Sequence, residues 1–134
     1  MSDDLALLRE LEIEGLCCAS ILVRLGLFLR GEENEQFVSS VSGLCGGAHS
    51  GLLCGALTGA ACMVSMFGDS PSDSAVMARE LSEWFEAEYG EKYGGIDCRD
   101  ITGEDPQLKC ERCPRLIESV YFQAKTILEE YGKI

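Results

Sequence analysis

One histidine, one tryptophan, three prolines and eleven basic residues are all that these 134 residues contain of those types. With His49 alone, the chain has no credible Ser-His-Asp triad and no mixed histidine–carboxylate metal motif. Hydrolysis and group transfer therefore lack a complete constellation, and a carrier fits better than a substrate-converting enzyme. No C-x-x-C-H haem-attachment run and no phosphate-binding P-loop occurs. No convincing run alternates apolar and polar residues, which argues against strands.

Positive charge is scarce throughout. Eleven bases face 23 acids, a net charge of −12, and the excess holds in both halves of the chain. Such a surface repels phosphate backbones and anionic membranes, so neither nucleic acid nor a lipid surface is an expected partner. The start, Met1-Ser2-Asp3-Asp4, is acidic where a signal peptide needs a basic segment, and a cytoplasmic location is expected. From Gln36 to Gly68 charge vanishes altogether. Residues 51–68 are apolar enough to be weighed as a membrane span, but their glycines, cysteines and acidic flanks favour a helix buried inside a bundle.

What the chain does have is eight cysteines. A chain of this length buries a sizeable core without disulfide staples, and in a reducing compartment cysteines more often serve metals or thiol redox chemistry. Cys54, Cys98 and Cys113 each stand where a helix is expected to begin, with Pro114 directly after Cys113. Unpaired amide N–H groups and the helix dipole favour a thiolate at such positions.

The periodicity predicts an all-α, single-domain irregular bundle of about five helices spanning 1–134, with a buried central Gly/Cys-rich helix. A first helix is expected from Asp3 or Asp4 to Arg30, where Gly31 stops it and Gly15 bends or splits it. A short second helix covers Glu33 to Val41. Ser70-Pro71-Ser72-Asp73 reads as the start of a further helix, with Ser70 as cap. That helix carries Met77, Leu81, Trp84, Phe85 and Tyr89 on one face and ends at Gly90. Glu91–Lys109 reads as irregular, with one short turn after Cys98. The last helix is expected from Pro114 to Tyr131, turning Leu116, Val120, Ala124, Ile127 and Leu128 inward. Glycines 51, 55 and 59 would form a smooth helix strip, suited to a tight helix–helix contact or a homodimer.

Cysteines arrive from separate segments: Cys17-Cys18, the glycine-rich centre, Cys98, and Cys110-x-x-Cys113. Four thiolates converging from distant segments can hold zinc or an iron–sulfur cluster, whereas two close thiols make a reversible disulfide. The order Gly15-Leu16-Cys17-Cys18-Ala19, Gly43-Leu44-Cys45-Gly46-Gly47, Cys54-Gly55-Ala56-Leu57-Thr58-Gly59, Cys98-Arg99-Asp100-Ile101-Thr102-Gly103 and Cys113-Pro114 resembles the C_GCAxxG_C_C family over nearly the whole chain. That resemblance implies a prokaryotic redox-active protein with four characteristic cysteines, here Cys18, Cys54, Cys98 and Cys113. Cys18 is matched rather than Cys17 because the family usually shows Asn-Cys there. Cys17, Cys45, Cys62 and Cys110 are additions of this chain and, with His49, candidates to join the site.

Three functions follow. The first is an electron carrier whose thiolates hold an iron–sulfur cluster, [2Fe–2S] by preference, and which meets a redox partner protein. The second is thiol–disulfide exchange, with Cys54 attacking and Cys98 or Cys113 resolving. The third is a zinc-stabilised or purely structural module that docks on a partner. Arg99 and Arg112, each beside a cysteine, are candidates for stabilising thiolates.

Overall fold

The computed structural model describes residues 2–134. It is all-α, and its extended pairing amounts to one antiparallel bridge between Leu53 and Asp97. Seven helices are present among the described residues rather than about five: α1 (Asp3–Glu14), α2 (Cys18–Arg30), α3 (Glu35–Ser40), α4 (Gly55–Ser65), α5 (Pro71–Phe85), α6 (Cys98–Thr102) and α7 (Pro106–Glu130). No helix among them is long and apolar enough to cross a membrane.

The first discrepancy lies at Gly15. Its φ of 83° places it in the left-handed region, where a residue without Cβ is unstrained, and its N–H bonds back to the Glu12 carbonyl. The expected long helix is thereby cut in two, and α2 restarts behind Cys17, which takes extended angles as the N-cap. Gly31 ends α2 with φ of 68°. The second helix is shorter than expected, and a 3₁₀ turn (Val41–Leu44) follows it.

The start of α5 matches its sequence signal, with the Ser70 hydroxyl accepting from the Asp73 N–H at 3.1 Å. Its end does not. Gly90 keeps helical angles, φ −58° and ψ −51°, and the helix continues through a wider turn (Glu86–Gly90) to Glu91–Tyr93. Gly94, with φ of 77°, is the actual stop. The last helix starts eight residues early, behind Asp105, whose carboxylate accepts from the Gln107 N–H. Asp105-Pro106 carries the same start signal as Cys113-Pro114, and the earlier one acts first. Pro114 is therefore inside α7, where its missing N–H leaves the Cys110 carbonyl without its helical donor.

Helix α4 is the centre, packed against α2, α5 and α7. Gly55, Ala56, Leu57, Gly59, Ala60, Met63 and Val64 are buried along it, which bears out the buried Gly/Cys-rich helix. Gly51 lies outside it, with φ of 74°. Gly55 and Gly59 do allow a close approach, but the neighbour is this chain's own α2: a Cβ at Gly59 would stand 2.6 Å from Ala19 Cα. The strip is covered within the chain. Around α4 gather Met77, Leu81, Phe85, Val120, Tyr121, Ala124, Ile127 and Leu128, all fully buried. At the rim of this core Asp4, itself buried, accepts from the Tyr121 hydroxyl at 2.6 Å and Lys125 Nζ at 2.7 Å, tying α1 to α7.

Candidate functional site

A cavity of about 300 Å³ lies where the starts of α2, α4 and α6 meet the first half of α7. Its wall includes Cys17, Cys18, Cys45, Cys54, Cys98 and Cys113, so six of the eight cysteines converge on one space. Leu16, Ala56, Ile101, Leu116 and Ile117 make much of the rest apolar.

Each cysteine arrives by a local device. Cys17 and Cys18 are the cap and first residue of α2, put there by the Gly15 break. Cys54 caps α4 and Cys98 opens α6, and the Leu53–Asp97 bridge ties these two starts together. The Cys98 N–H bonds to the Leu52 carbonyl at 2.6 Å and the Cys54 N–H to the Ile96 carbonyl at 3.2 Å. Asp100 steadies the turn by accepting from the Asp97 N–H. Cys113 reaches the cavity from the interior of α7 rather than from a helix start, which corrects the expectation from Pro114. Arg112, next to it, donates to the Ile101 carbonyl at 2.8 Å and stacks over Tyr93, fastening α7 to α6.

Cys17 and Cys45 are joined in a disulfide, with Cα atoms 6.0 Å apart, and the other six cysteines are free. Cys45 ends the 3₁₀ turn and leads into a loop with Gly46, Gly47, Ala48, His49 and Gly51 all at positive φ. Two of those five are not glycine, so the loop holds a conformation that side chains disfavour. His49 is exposed, and its Nε2 donates to the Ser42 carbonyl at 2.9 Å. It faces an outer groove beside Cys98 rather than the cysteine cavity. Cys62 also lies off the cavity, packed among α2 side chains, and Cys110 is exposed one turn before Cys113.

The electrostatics reverse one expectation. Helix starts were expected to favour thiolates, yet burial dominates and pushes the Cys54 thiol up to about 12 and Cys113 to about 11. Burial raises Cys18 as well. The N–H groups of Ala56 and Leu57 reach toward Cys54, and those of Gly46 and Ala19 toward Cys18, opposing burial without overcoming it. An attacking Cys54 thiolate at neutral pH is therefore not what this cavity provides.

The thiols also act on one another. Cys18 and Cys113 raise Cys54, Cys98 raises Cys18, and Cys18 with Cys98 raises Cys113. Charge on one of these thiols therefore makes its neighbours harder to ionise. Lys109, on the cavity wall, lowers both Cys18 and Cys113. It is the cation that reading the sequence missed, because it is distant from both in sequence or one turn away on α7. Arg99, singled out instead, pairs with Asp97 at 3.7 Å and lies on the outer groove. No three Cys, His, Asp or Glu side chains among the described residues stand close enough to share a single metal ion.

The model of the C_GCAxxG_C_C family, described as "putative redox-active protein", matches residues 16–127. No curated protein and no solved structure matches the chain. The matched stretch contains every cysteine of the cavity, and the chain belongs to this family.

Proposed function

We propose that the protein is an electron carrier whose Cys18, Cys54, Cys98 and Cys113 hold an iron–sulfur cluster. The observation that carries this reading is the set of four free thiols, from four separate segments, on the wall of one largely apolar cavity. Thiolates in such a cavity repel one another and lack solvent, so they favour a cationic centre that takes up their charge. The donor set fits: all four are cysteine sulfur, and backbone N–H groups already reach toward two of them.

When bound, such a cluster supplies reversible one-electron transfer. The chain's own part is to exclude water with Leu16, Ile101, Leu116 and Ile117, and to direct N–H groups at sulfur. Those are two of the protein's levers on a potential. Lys109 offsets part of the negative charge at the wall.

Single Cys→Ser variants test the assignment. After anaerobic reconstitution with iron and sulfide, C18S, C54S, C98S and C113S are expected to lose most cluster absorbance, whereas C62S and C110S keep it. Equal retention in all six variants would overturn the ligand set.

A further inference from the structure

The Cys17–Cys45 disulfide lies on the same wall as the free thiols, and its neighbourhood is unusually tight around Cys18. A Cβ built on Gly55 would stand 2.8 Å from Cys18 Sγ and 3.1 Å from Cys45 Cα. Both atoms border the same point, so Cys18 sulfur lies within about 6 Å of Cys45 Cα. Glycine at 55 is what leaves this space open. A second observation agrees: the Gly46 N–H, next to Cys45 in sequence, reaches toward Cys18 sulfur. Cys18 is also the chain neighbour of Cys17, so the free thiol and one disulfide cysteine share the start of α2.

We propose that Cys17 and Cys18 compete for Cys45, and that the Cys17–Cys45 disulfide is one position of a thiol–disulfide switch on the site. In the exchange, Cys18, whose burial disfavours the thiolate and so makes the step slow at neutral pH, gives its proton to solvent and its sulfur forms a bond to Cys45 Sγ. The Cys17–Cys45 bond breaks, its electron pair leaves on Cys17, and Cys17 takes a proton from solvent. One disulfide and one thiol are present before and after, so no oxidant or reductant is consumed. In the first position Cys18 is free and the four-thiol set is complete. In the second, Cys18 is withdrawn and Cys17, the cap of α2, is the free thiol. The effect on a cluster rests on the function proposed above; the exchange itself does not.

The test uses the full chain without metal. C17S is oxidised with oxidised glutathione, its remaining thiols are alkylated, and linked peptides are identified by mass. The expected product is a Cys18–Cys45 disulfide with Cys54, Cys98 and Cys113 alkylated, while C18S treated alike keeps Cys17–Cys45. Alkylated Cys18 together with Cys45 that is free, capped by glutathione, or joined to Cys54, Cys98 or Cys113 would overturn the proposal. Wild-type protein gives a reading that does not depend on how the variants fold. Fragmentation between residues 17 and 18 is expected to find a Cys18–Cys45 population beside Cys17–Cys45, and its complete absence after prolonged incubation would count against the switch. Iron and sulfide uptake, measured on separate portions, judges the cluster alone: no uptake by the wild-type chain would remove that reading and leave the disulfide map to decide the exchange.

Discussion

Gly59→Ala probes the contact that positions the site, because α2 and α4 each begin with a cysteine of the cavity. The added methyl carbon would lie 2.6 Å from Ala19 Cα and 3.0 Å from Ala19 Cβ. Backbone cannot rotate aside as a side-chain tip can, so the helices must separate by roughly 1 Å to reach ordinary contact. Overpacking of this kind costs about 1–3 kcal/mol, and alanine returns up to about 1 kcal/mol of helix propensity. The net expectation is a loss of about 1–2 kcal/mol. At about 2.1 cal/mol/K of unfolding entropy per residue, a chain of this length shifts by roughly 3–4 °C per kcal/mol, so Tm should fall by about 4–7 °C. Gly90→Ala is the opposite case, since Gly90 has helical angles and a Cβ there meets nothing closer than 3.6 Å. It should gain about 0.5–1 kcal/mol. Thermal melts of both variants, followed by circular dichroism, decide the matter. An unchanged or higher Tm for Gly59→Ala would refute the close-approach argument.

Other expectations follow from the same structure. Replacing both Cys17 and Cys45 by serine removes a cross-link spanning 28 residues, worth about 3.6 kcal/mol on the chain-entropy model, so Tm should fall by about 11–14 °C in non-reducing melts. Asp4 has a carboxyl held well below its ordinary range despite burial, because Lys125, Ser2 and Tyr121 hydrogen-bond to it. Its contribution is therefore full above about pH 4 and is lost as the pH falls from there toward the depressed folded value. Asp4→Asn should cost about 2–3 kcal/mol at pH 7 and flatten the loss of stability with acid, as read by urea midpoints at pH 7, 4 and 3. In metal-free protein the Cys54 thiol, pushed up to about 12, is thiolate in only about one molecule in 10⁴ at pH 8. Its alkylation should be slow and rise about tenfold per pH unit between 8 and 10, whereas fast labelling at pH 7 would contradict the burial argument.

The sequence made the helices legible where signals were local and unopposed: the Ser70-Pro71 start, the Gly31 stop, and the inward faces of α5 and α7. It misled at two helix ends, where a residue type was taken for the signal. Gly90 was expected to be the stop, yet a stop needs positive φ, which Gly94 has and Gly90 lacks. Pro114 was expected to open the last helix, but Asp105-Pro106 opens it eight residues earlier and leaves Pro114 inside the helix. Four of the cavity's cysteines were legible from the family's spacing, and the structure brings those four to one wall. The Cys17–Cys45 pair and the place of Lys109 were not, since both depend on how α2, α7 and the 46–51 loop come together in space. Thiol acidity was misjudged for a related reason: a helix start is visible in sequence, whereas the burial that outweighs it exists only in the folded chain.

Iron and acid-labile sulfide content, with a visible spectrum, on protein purified without oxygen tests the central claim most directly. Equal amounts of iron and sulfide with broad visible absorption are the predicted result. A colourless protein without iron or sulfide, or one holding only zinc, would contradict it.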